Sequence, residues 1–126
     1  MRKLSSVLSA LLILGVAANI ANAAESKAVQ TMAGILANLK HIPSADDKQT
    51  LERIAEDKAT TAEERTVAHA LMNVQHMVAA ADKPGLEAIV SDPKSSNGVK
   101  TLAGIILGVK HFPSDADKEK LKALSQ

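Results

Sequence analysis

The chain contains no cysteine, no tryptophan and no tyrosine, and its one phenylalanine is Phe112. Without cysteine it can form neither a disulfide nor a thiolate metal site, and it lacks the cysteine that a lipid-anchored lipoprotein requires. Almost bare of aromatic rings, it offers no stacking platform to a single-stranded nucleic acid. Charge of one sign is missing too: 15 Lys and Arg stand against 14 Asp and Glu. Such a balance gives neither nucleic acid nor an anionic bilayer an electrostatic footprint. Folding therefore has to rest on aliphatic packing and on well-terminated helices.

The one long apolar run opens the chain. Arg2 and Lys3 precede an apolar stretch from Leu4 to Ile20, and Ala21-Asn22-Ala23 closes it. A basic start, an apolar middle and a small-x-small end make up a secretory signal peptide, and the run falls short of the roughly 20 apolar residues of a membrane span. The expectation is cleavage after Ala23. Of the 126 residues this leaves 24–126 as one mature helical-repeat domain, periplasmic or secreted, with no membrane span. Loss of Arg2 and Lys3 leaves 13 basic residues against 14 acidic ones, so no strong charge appears after processing.

Internal periodicity is the strongest signal in what remains. Residues 31–54 and 101–124 share 11 identities in 24 ungapped positions, among them Thr31/Thr101, Gly34/Gly104, Lys40/Lys110, His41/His111, Pro43/Pro113, Ser44/Ser114 and Asp47/Asp117. Half that offset of 70 uncovers a middle copy carrying Thr66, Ala68, His76, Asp82, Lys83 and Leu86. The period is 35 residues, in copies near 26–57, 61–92 and 96–126.

Each copy reads as a helical hairpin. Val29, Met32, Ile35, Leu36 and Leu39 form one apolar stripe at helical spacing, and Leu51, Ile54 and Ala55 a shorter one. Between them Pro43 ends the first helix, Ser44 caps the second, and Asp47 suits its positive end. Pro113, Ser114 and Asp117 repeat that punctuation, whereas Asp82 is the expected cap in the middle copy, with Pro84 in the first turn that follows. Thr61 and Glu64 form a capping box. The predicted fold is all-α: three tandem αα-hairpins of about 35 residues, six short helices in one small domain. Gly34, Ala37, Gly104 and Gly108 are expected to let neighbouring backbones approach closely. The period is similar to that of stacked helix-pair solenoids such as tetratricopeptide arrays, but that consensus has aromatic and Gly-Tyr positions this chain lacks.

Three candidate chemistries follow from the repeated residues. His41, Ser44 and Asp47, echoed by His111, Ser114 and Asp117, have the residue types of a hydrolase triad; capping explains the serine and the aspartate, and no oxyanion hole accompanies them. The expectation is no catalysis. His41, His76 and His111 recur at one repeat position, with His69 an extra, and together they are the candidate metal ligands. In a linear stack they would form a row, with helices about 8–10 Å apart. Three imidazoles in a line cannot share one tetrahedral ion with bonds of about 2 Å, which leaves the histidines as complements to helix C-terminal dipoles. The stretch Met32 to Asn38-Leu39-Lys40 resembles the four-helix haem bundles of b-type cytochromes, which implies a Met/His-ligated haem. Residues 116–126 hold no histidine to supply the second ligand, and the repeats give six helices rather than four.

Lys40, His41, Asp47, Lys48, Lys83, Lys110, His111, Asp117 and Lys118 form the candidate repeated surface. Helix-pair stacks present such faces to proteins and peptides. The leading expectation is therefore a non-enzymatic, cofactor-free periplasmic module that docks a protein or peptide and is a monomer or homodimer. The alternative is a periplasmic protein binding a transition metal such as zinc or copper through His69, His76, His41 and His111.

Overall fold

The computed structural model describes residues 25–126, so the candidate signal segment lies outside the described residues. Among them the protein is all-helical, with six α-helices and no strand: α1 (Lys27–Ala37), α2 (Ala45–Glu56), α3 (Ala62–Met72), α4 (Lys83–Ser91), α5 (Asn97–Gly108) and α6 (Asp115–Leu124), with a 3-10 turn over Ala80–Asp82. None of these helices is long and apolar enough to cross a membrane.

Local chemistry accounts for the helix starts. Ser26, Ser44, Ser96 and Ser114 each accept a hydrogen bond from the backbone N–H three residues on, and Thr61 does so within a complete capping box with Glu64. Asp82 departs from expectation. Its side chain caps nothing; Oδ2 instead accepts from Asn73 Nδ2 at 3.1 Å, and the 3-10 turn leads into α4 with Pro84 in the first turn.

α1, α3 and α5 pack on one another, and α2, α4 and α6 lie outside them. Each outer helix packs most extensively on the inner helix that follows it, α2 on α3 and α4 on α5, and α6 closes back onto α1. An open stack would leave the first and last elements apart; here they touch. The core is aliphatic throughout. Met32, Leu36, Val67, Leu71, Leu102 and Ile106 of the inner helices are fully buried, while Leu51, Leu86 and Leu121 are the fully buried side chains of the outer ones. These positions lie 35 residues apart, so burial repeats with the period of the sequence. The stripe of period 3.6 on each inner helix faces the other two.

The glycines do something other than expected. A Cβ at Gly34, Gly104 or Gly108 would meet open space, so these residues allow no close approach. The crowded glycine is Gly98 in the first turn of α5, where a Cβ would meet Val29 of α1 at 3.0 Å and the Glu25 carboxylate.

The helix starts are tied together at one end of the bundle. Glu64 occupies the position that Val29 and Val99 hold in the other copies, and it is buried. Its Oε1 accepts from the Thr61 N–H at 2.9 Å and its Oε2 from the Ser26 hydroxyl at 2.5 Å. Ser95, also buried, donates to Glu63. Thus α3 holds the starts of both α1 and α5, and among the described residues no buried side-chain polar atom lacks a partner.

Candidate metal centre

At the other end, the turns leaving α1, α3 and α5 meet. Each alternates buried and exposed residues around its histidine. Leu39, Val74 and Val109 are buried two residues before it, and Pro43, Val78 and Pro113 two residues after. The residues on either side of each histidine, Lys40 and Ile42, Gln75 and Met77, Lys110 and Phe112, are exposed. Buried anchors two residues to either side thus pin each histidine in place while its ring stays outside the core.

The backbone at these histidines is special. Among the described residues, His41 (φ 68°), His76 (φ 67°) and His111 (φ 68°) are the only non-glycine residues with positive φ. Ile42 N–H donates to the Lys40 carbonyl at 2.7 Å and Phe112 N–H to the Lys110 carbonyl at 2.7 Å, so a γ-turn is centred on each of these two histidines. In the middle turn Gln75 N–H donates to the Met77 carbonyl at 3.2 Å. A side chain in this region costs about 1–3 kcal/mol and persists only where the surroundings over-determine it. Here a closed ring does so: His41 N–H donates to the His111 carbonyl at 2.6 Å, His76 N–H to that of His41 at 2.7 Å, and His111 N–H to that of His76 at 2.5 Å.

The imidazoles repeat the ring. The Nδ1 atoms lie 3.0 Å apart for His41 and His76, 3.1 Å for His41 and His111, and 3.1 Å for His76 and His111. The ring centroids are 5.0–5.1 Å apart and the planes cross at 68–73°, a three-bladed propeller. The expected row of histidines is therefore a triangle. The third inner helix packs on the first as well as on the second, which removes the geometric objection to a shared ion.

A neutral imidazole nitrogen is either a donor or an acceptor. If all three Nδ1 atoms are acceptors, three lone pairs converge with no proton between them. If one carries a proton, it points well at only one neighbour and leaves the other two lone pairs face to face. A cation satisfies all three at once. The centre of such a triangle is about 1.8 Å from each nitrogen, so an ion bonding at about 2.0–2.1 Å sits about 1 Å off the nitrogen plane. The corresponding N–ion–N angle is about 95°, between the facial octahedral and tetrahedral values, and an opening of about 0.3 Å along each edge gives the tetrahedral one. The helices α1, α3 and α5 each end three or four residues before a histidine, so the negative ends of three helix dipoles also point toward this pole.

His69 takes no part: it lies on the exposed side of α3, and the triangle comprises His41, His76 and His111 alone. All three lie beyond the last residues of their helices, Ala37, Met72 and Gly108. Of the candidate surface, Lys40, Lys48, Lys83, Lys110 and Lys118 are exposed. Asp47 and Asp117 are half-buried, and their N–H groups donate to the capping oxygens of Ser44 and Ser114 at 3.1 Å. The serines of the notional triads are thus occupied as caps. Beside the histidines stand three exposed apolar residues that the candidate surface omits: Ile42, Met77 and Phe112 are 49%, 51% and 56% exposed. The signal that would have found them is the apolar residue following each recurrent histidine.

Comparison of the chain with protein-family models, with curated proteins and with solved structures returns no match.

Proposed function

We propose that this protein binds one divalent transition-metal ion through Nδ1 of His41, His76 and His111. The observation that carries the reading is the triangle of Nδ1 atoms with edges of 3.0–3.1 Å. Three neutral imidazoles form a donor set suited to borderline ions, with affinity rising from cobalt through nickel to copper and zinc close behind. They leave the remaining coordination positions to exogenous ligands, the open arrangement of a site that exchanges or presents its ion rather than one that merely braces a fold.

On this reading the 35-residue repeat, present in three copies closed into a ring, is the device that builds the site: each copy supplies one ligand on one strained turn. The burial pattern at 35-residue intervals and the packing of α6 on α1 support it. The basic, apolar and small-residue pattern of residues 1–23 supports an exported, periplasmic protein whose working part begins near Ala24. Capping engages the Ser44 and Ser114 hydroxyls, which argues against a serine-nucleophile reaction. The role is metal binding more than peptide docking, because the recurrent residues converge on a point instead of spreading along a face.

Native mass spectrometry of the protein titrated with Zn2+ or Cu2+ tests this. One ion should bind per chain, and His41→Ala, His76→Ala or His111→Ala should each weaken it by more than the roughly 10–100-fold typical of losing an outer-shell partner. His69→Ala should bind as the parent does. Undiminished binding in all three single variants, or loss on replacing His69, would reject the assignment.

A further inference from the structure

The ion's remaining ligand can be narrowed by what surrounds it. A cleft of about 480 Å³ lies beside His41, lined by Leu39, Lys40, His41, Phe112 and Lys118 together with Ala37 and Asn38. Its volume is that of a small-molecule site. No acidic residue lines it. Phe112 is the one aromatic side chain of the protein besides histidine, and more than half of it is exposed. The Lys118 ammonium stands 5.7 Å from the centre of its ring. A comparable hollow of about 490 Å³ lies near Met77, with Lys48 and Gln75, but it has no aromatic wall, a single lysine and none of the three histidines. The His41 cleft alone of these two combines an apolar wall, two ammonium groups and one corner of the metal triangle.

Resting on the metal reading above, we infer that the bound ion takes as its exogenous ligand the carboxylate of a small organic acid, with the acid's apolar body lying against Phe112 and Leu39. Three neutral imidazoles leave the ion its full double charge, so an anionic oxygen is its natural partner. Lys40 and Lys118 add attraction on the same side, and Phe112 removes apolar surface of the ligand from water. The converging helix ends favour the cation and not the anion; the anion is held by the ion and the lysines. A second copy of the chain is a poorer occupant, since Lys40 and Lys110 flank the histidines of each copy and two such poles would meet with like charges.

Co2+ serves as probe because its visible absorption reports changes in its ligands. The Co2+-loaded protein is titrated with benzoate, acetate and neutral benzamide. Benzoate should shift the cobalt spectrum saturably and bind about tenfold or more tighter than acetate, and benzamide should give no shift. Lys118→Gln and Phe112→Leu should each weaken benzoate by about fivefold or more while Co2+ affinity stays within about twofold. Equal affinity for benzoate and acetate, indifference to both substitutions, or a complex of two chains per cobalt would overturn the cleft assignment with the metal site intact. Failure to bind Co2+ at all would instead overturn the metal reading, and this inference with it.

Discussion

Replacing His76 with glycine and, separately, with alanine separates the cost of the turn from the benefit of the ring. Both variants lose the imidazole, so any metal-dependent term cancels between them. They differ in the backbone: at φ 67° alanine keeps the left-handed strain and glycine has none. That strain is about 1–2 kcal/mol. Glycine gives back about 0.4–1 kcal/mol through the greater freedom of its unfolded chain. The glycine variant should therefore be more stable by about 0.5–1 kcal/mol, which for a domain of roughly 100 residues raises the melting temperature by about 2–8 °C. Thermal and urea unfolding followed by circular dichroism, in chelator, read the difference. The same ordering should hold at His41 and His111, whose φ values match. Alanine as stable as glycine at all three positions would refute the strained turns. Together with loss of metal binding in His76→Ala, the expected result would mean that histidine is held here at a stability cost.

Further substitutions probe the fold that carries the site. Gly34→Ala should stabilise by about 0.5–1 kcal/mol, since the new methyl meets open space in mid-helix. Gly98→Ala should lower the unfolding midpoint, because its methyl meets Val29 at 3.0 Å; the reverse order in urea melts would mean that α1 and α5 do not meet as described. Leu36→Ala and Ile106→Ala, both at fully buried positions, should each cost about 2–5 kcal/mol, and a negligible shift would misplace the core stripe. Glu64→Gln leaves an amide where two donors need acceptors and should cost about 1–3 kcal/mol in the same melts, more than Glu63→Gln.

The all-helical class was legible because short-range rules determine it. The apolar stripe from Val29 to Leu39, the serines before α2 and α6 and the Thr61–Glu64 box each act within one or two helical turns, and all were found where the structure has them. What escaped the sequence is long-range. The rotation from one inner helix to the next decides whether three histidines form a row or a ring, and it arises from side-chain packing among α1, α3 and α5, which spacing alone does not encode. The positive φ of the histidines was hidden for a different reason: glycine is the usual marker of such backbone, and here histidine takes its place. Gly34 and Gly104 misled for the same reason, being conformationally permissive residues in ordinary helix. The sequence shows Glu64 only as a local cap, whereas its second oxygen reaches Ser26, 38 residues away.

The most direct test of the central claim is X-ray absorption at the edge of a bound Cu2+ or Zn2+. The proposed centre predicts three imidazole nitrogens at about 2.0–2.1 Å with exogenous oxygen atoms completing the shell, and one imidazole fewer in His76→Ala. A shell with one imidazole or none, or one unchanged by that substitution, would contradict a metal centre built from His41, His76 and His111.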